Sequence, residues 1–188
     1  MDTNTSVNKS NIPGPWALTT RRVVLGAIFG AMTLVLGGLG LGAIPVPNIS
    51  GGATILQVPT IVGGIIGGPL VGLLCGAIFG VYELVTFPIF GPFVHIPSRL
   101  LIGIVAWLVY TLLRRVNIST IISAVVAALA GALTNTVVTL GMAVLLGMVP
   151  PEAVIPIIPQ ALIEMAIAAV ITPIVVVAVN SIPNARGN

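Results

Sequence analysis

Charge is what this sequence has least of. Only 6% of its 188 residues are Asp, Glu, Lys or Arg, against roughly 25% in a water-soluble globular domain, so water is not its main solvent. There is a single cysteine, Cys75. It excludes an intrachain disulfide, and without a CxxC or a neighbouring histidine it offers no metal-site spacing; its expected role is small-residue helix packing. No metal site and no cofactor is expected. The Gly-x-x-x-x-Gly-Lys phosphate loop is missing, which assigns any ATP hydrolysis by that route to another chain. HExxH and Gly-x-Ser-x-Gly are missing as well. Ser98 lies three residues after His95, but no third residue is evident to orient a base, which leaves an intramembrane enzyme as the weakest reading. The formal net charge of +3 holds no basic run beyond Arg21-Arg22 and Arg114-Arg115, which excludes a nucleic-acid footprint.

What is present is apolar: 57% of the residues are hydrophobic. A helix needs about 20 such residues to cross a hydrocarbon core of roughly 30 Å, and the chain divides accordingly. The pattern predicts helices over residues 23–42, 54–67, 70–86, 98–113, 121–148 and 160–179, the second short for a full crossing and the fifth long enough to tilt or break near Gly141. Proline and glycine clusters predict loops over residues 43–53, 87–97 and 148–159, with a tight turn at Gly68-Pro69. The first apolar run follows some twenty polar residues and exceeds the roughly 7–15 residues of a signal-peptide core, so it is expected to remain as a membrane helix. The expected fold is all-α: an integral membrane bundle of six transmembrane helices over residues 21–181. Residues 1–20 and 182–188 are expected to be cytoplasmic tails, the first of them flexible. Lys9, Arg21, Arg22, Arg114, Arg115 and Arg186 fall on one side of such a layout, which by the positive-inside rule puts both termini in the cytoplasm. The three opposite loops contain no Lys or Arg.

Association in lipid relies on small residues four apart. Gly63/Gly67, Gly64/Gly68, the series Gly72, Gly76, Gly80, and Ala124/Ala128 suit packing within one bundle. On the first helix, Gly26/Gly30 and Ala27/Ala31 also suit docking of another membrane subunit. Ionisable and amide side chains within apolar runs are functional candidates by default, because each is costly in lipid unless paired or hydrated. They are Glu83, His95, Arg99, Asn135, Gln160 and Glu164, the last two sharing a helix face. Arg99 could receive a ligand carboxylate in a bidentate way or pair with Glu83 or Glu164. Gln160 and Glu164 could hold ligand hydroxyls and amides or satisfy backbone broken at Pro156 and Pro159. His95 could anchor its loop or move a proton. Asn48 and Gln57 flank the first outer loop as lid and pocket-edge candidates, the alternative being caps of loop backbone. Trp107 could stack on a flat ring or anchor at the interface.

These features resemble the substrate-binding S components of energy-coupling factor vitamin transporters. The resemblance covers most of residues 22–180. It rests on six short helices in under 200 residues, on Gly26-Ala27-Ile28-Phe29-Gly30-Ala31, on Gly52 to Pro59 continuing into Gly63 to Pro69, and on Pro97-Ser98-Arg99-Leu100-Leu101-Ile102-Gly103. It implies a binding and transport subunit of a prokaryotic-type cell membrane that works with a transmembrane coupling subunit and two ATPase subunits. Ala27 and Ala31 would dock the coupling subunit. Asn48 and its neighbours would form a lid, with Arg99, Asn135, Gln160 and Glu164 in the pocket. Pantothenate, folate, riboflavin and pyridoxine-type ligands are all compatible, with a lean toward a carboxylate because of Arg99. The competing expectation is a self-sufficient proton-coupled transporter or channel, with Glu83, His95 and Glu164 as its proton path.

Overall fold

The computed structural model of the chain describes residues 14–45 and 52–181. Asn48 and most of both expected tails lie outside them. Six α-helices carry the fold: α1 (Thr20–Gly38), α2 (Gln57–Gly67), α3 (Pro69–Thr86), α4 (Gly91–Arg115), α5 (Thr120–Leu145) and α6 (Ile158–Asn180). Between α1 and α2 stand two short antiparallel strands, β1 (Ala43–Pro45) and β2 (Gly52–Thr54), in the register Ala43↔Thr54, Ile44↔Ala53 and Pro45↔Gly52. The expected loop is therefore partly a hairpin.

Five of the helical segments are long and apolar enough to cross a membrane, and α2 is not. Its 11 residues rise only about 16 Å. This length is tolerable because α2 is the innermost helix, buried along nearly its whole course and packed on all five others. Gly68, with φ of 94°, makes the reversal into α3, and Pro69 opens that helix at a position where no backbone donor is needed. Around α2, α1 packs on α3, α3 on α4, α4 on α5 and α5 on α6. The outer faces are apolar: Val24, Ile28 and Val35 on α1, and Leu162, Val170 and Ile174 on α6, are exposed. Glu83, Arg99 and Glu164 are buried. Arg21, Arg114 and Arg115 are exposed at one end of the bundle and Glu152 at the other. A lipid-facing exterior with charge confined to the ends and the interior is what the bilayer requires of a multi-pass protein.

The structure corrects the expected loops at two places. Helix α4 begins at Gly91 rather than Ser98, and α6 begins at Ile158 after a 3-10 segment, Pro151–Ile157. Pro92 and Pro159 stand in the first turns of these helices, where proline is favoured instead of disruptive. Pro97 lies within α4, and the helix continues through it. Helix α5 likewise runs unbroken past Gly141 to Leu145.

The glycine series on α3 sets the geometry of the site. A Cβ on Gly72 would stand 2.8 Å from the Gly103 Cα of α4, and Gly76 and Gly80 lie against the backbone of Arg99 and of His95 and Ile96. Contact of this kind between backbones brings α4 unusually close to α3. Glu83 lies seven residues after Gly76, on the same face. Arg99 and His95 are thereby delivered to it. Cys75 is fully buried in the core, its thiol 3.7 Å from the Gly26 carbonyl.

Candidate functional site

A cavity of about 290 Å³ opens at the end of the bundle that carries the hairpin, and its wall includes Glu83, His95, Arg99, Asn135, Gln160 and Glu164. Six residues singled out in the sequence, from four helices, thus share one space. Gln57 lies beneath it, fully buried, and reaches it through Glu164. The remaining wall is supplied by Thr54, Tyr82, Phe87, Phe90, Thr139 and Ile157, among others.

Glu83 of α3 is the hub of one side. Its carboxylate forms an ion pair with Arg99 Nη2 and lies 3.2 Å from His95 Nδ1. The other ring nitrogen, His95 Nε2, is 2.9 Å from the Phe87 carbonyl, which ties the start of α4 to the end of α3. Arg99 Nη1 donates to the Ser98 hydroxyl at 2.8 Å and to Thr139 Oγ1 of α5. The guanidinium also lies over the Phe79 ring, 5.3 Å from its centroid, in a cation–π arrangement. Of the alternatives for Arg99, the structure has the pair with Glu83. His95 lies in the first turns of α4, not in a loop, and fastens that helix to the end of α3; it does not serve Ser98, whose hydroxyl donates to helix carbonyls at Val94 and His95.

Glu164 of α6 is the hub of the other side. Its Oε1 accepts from the Thr54 backbone N–H at 2.8 Å and from Gln160 Nε2 at 3.1 Å, and Oε2 faces Gln57 Nε2 at 3.4 Å. One carboxylate therefore fastens β2 and α2 to α6. The orphan backbone it satisfies is that of β2, not that of Pro156 or Pro159. Three buried polar atoms here have no partner: Gln57 Oε1, Arg99 Nε and Asn135 Oδ1. Nearly all buried polar groups in folded proteins are hydrogen-bonded. Two of the three, those of Asn135 and Arg99, belong to residues of the cavity wall.

Other sequence candidates fall elsewhere. Trp107 packs edge-on against Trp16, ring centroids 6.4 Å apart, and is not part of the cavity wall. Arg22 Nη1 donates to the Gly14 and Ala17 carbonyls at 2.7 and 2.6 Å and holds that turn against the start of α1. The four small residues of α1 do not share a face. Gly26 and Gly30 are buried against Leu74 and Ile78 of α3, whereas Ala27 and Ala31 are exposed.

Sequence reasoning missed Thr54, Thr139 and Phe87. Thr139 follows Asn135 by one helical turn, so i, i+4 spacing could have found it. Thr54 contributes through its backbone, which leaves no side-chain signal.

A family model described as ECF transporter, substrate-specific component, matches residues 21–176. No curated protein matches the chain.

Proposed function

The chain belongs to the substrate-specific components of ECF transporters, and from that premise we propose that the cavity between α3, α4, α5 and α6 is the substrate site. The observation that carries the reading is the gathering of six ionisable and amide side chains around one cavity, while the described outer faces of α1 and α6 expose apolar side chains. A volume of about 290 Å³ is close to the small end of ligand pockets, roughly 300–1,000 Å³, and suits a vitamin-sized molecule. Phe87, Phe90 and Tyr82 supply apolar surface for its body, and the two polar hubs supply orientation. Glu164 holds β2 through the Thr54 N–H, which fixes that strand of the hairpin at the cavity wall.

In this reading the cavity faces outward and both termini are cytoplasmic, as the distribution of Lys and Arg supports. The protein sits in the cell membrane. It delivers its cargo with a transmembrane coupling subunit and two ATPase subunits, and the exposed Ala27 and Ala31 form the docking patch on α1. Gly26 and Gly30 serve the α1–α3 contact beneath that patch. Substituting Ala31 with tryptophan is expected to abolish uptake of the cargo, by roughly 100-fold when two helices can no longer approach, while ligand binding to the isolated protein stays within about twofold. Uptake into cells with and without the partner ATPases is the check. Transport that persists without them and follows the proton gradient would overturn the coupling claim in favour of a self-sufficient transporter.

A further inference from the structure

The charged groups of the cavity are unevenly shared. Glu83 has Arg99 in an ion pair and His95 at 3.2 Å. Glu164 has neither. Its protein partners are three neutral amides, from Thr54, Gln57 and Gln160, and among the described residues it forms no ion pair. Amide donors orient a carboxylate but do not neutralise it, and a buried carboxylate without a counter-charge is costly. Asn135, on a different helix, gives an independent sign: it is 5% exposed, it lines the same cavity, and its Oδ1 lacks a partner. One carboxylate thus lacks a paired counter-charge and one amide oxygen lacks a donor. The guanidinium, by contrast, is already committed. Arg99 has its Nη atoms on Glu83, Ser98 and Thr139, so the end-on fork that would grip a carboxylate bidentately is occupied and its charge is met by Glu83, and Nε alone among its nitrogens has no partner.

Resting on the reading of this cavity as the substrate site, we infer that the substrate carries a positively charged nitrogen, a protonated amine or a cationic heterocycle, which Glu164 receives with the Asn135 carbonyl as second acceptor. This replaces the expectation of a carboxylate-bearing cargo that Arg99 alone suggests. The arrangement discriminates by charge. A carboxylate placed at Glu164 would meet a like charge with no cation in direct contact with either, since Arg99 is paired with Glu83, whereas a cation there completes the pair that Glu164 lacks.

The test is calorimetric titration of the full-length protein, freed of ligand and held in lipid nanodiscs, with thiamine, pyridoxamine, riboflavin and pantothenate as probes: a permanent cation, a protonated amine, a neutral ring system and a carboxylate. The parent should bind a cationic probe, and Glu164→Gln should weaken that binding on the order of 100-fold, the loss typical when one partner of a buried charge pair is removed. Gln retains an oxygen to accept from the Thr54 N–H, so the thermal midpoint of E164Q should stay near the parent's and separate lost charge from lost fold. If riboflavin or pantothenate binds and neither cation does, the charge inference is overturned while the substrate site stands. If E164Q binds the cationic probe as tightly as the parent, the inference is overturned as well. Binding of no probe by a folded parent would count against both the inference and the site.

Discussion

Replacing Glu83 with glutamine is expected to lower the stability of the protein by about 3–5 kcal/mol, the usual result of removing one partner from a buried ion pair, and to abolish substrate binding. Glu83 is 5% exposed, as is Arg99. With glutamine at 83, the Arg99 guanidinium would keep neutral partners alone, the one amide oxygen, the hydroxyls of Ser98 and Thr139 and the Phe79 ring, none of which carries a compensating charge. His95 Nδ1 would face a neutral amide instead of a carboxylate, in competition with Arg99 for its single oxygen. The thermal midpoint in detergent should fall by about 10 °C, since each kcal/mol moves a chain of this size by roughly 2–4 °C. The double variant Glu83→Gln, Arg99→Met removes the stranded cation as well. It should recover much of the midpoint, because an apolar replacement of a buried pair is often neutral or better, and it should recover none of the binding. Measuring midpoint and ligand affinity on all three proteins checks this. A single variant that melts with the parent would show that the pair does not hold α3 to α4.

Asn135→Leu should separate stability from function in the opposite sense. The amide oxygen is buried without a partner, a state that costs about 1–3 kcal/mol, and the side chain borders open space, so leucine can extend into the cavity without a clash. The ligand-free protein should gain about 1 kcal/mol while its affinity for substrate falls by roughly 100-fold. Sites that bind ligands commonly forgo stability in this way. The comparison needs the melting midpoint of the empty protein beside its dissociation constant. A loss of both stability and affinity would assign Asn135 to the packing of α5 instead of to the substrate.

Much of the bundle was legible because lipid permits so few solutions. Apolar runs the length of α3 and α5 can only be helices. Glu83, Arg99, Asn135 and Glu164 could be gathered into one candidate list because a polar side chain in such a run has to face the interior. Their pairing was not legible. Arg99 could have met either Glu83 or Glu164, and the choice follows from the close α3–α4 approach at Gly72 and Gly103, which depends on backbone contact between helices. The bond from Thr54 to Glu164 joins residues 110 apart in the chain, and no local pattern announces it. The proline-rich segments misled for a definite reason: Pro92 and Pro159 sit in first turns, where the missing N–H has no intrahelical role, so clusters that punctuate a sequence here begin helices. The short α2 was visible as short, but its central position was not, since apolar periodicity does not distinguish a helix facing lipid from one facing five other helices.

The measurement that tests the central claim most directly is mass spectrometry of the small molecules released by heat from the detergent-purified protein, grown with candidate vitamins and compared with an Arg99→Ala, Glu164→Ala double variant. A single vitamin-sized molecule recovered at close to one per chain from the parent, and absent from the double variant, is the predicted result. Recovery of no such molecule from the parent, or of equal amounts from both proteins, would contradict the assignment of this cavity as the substrate site.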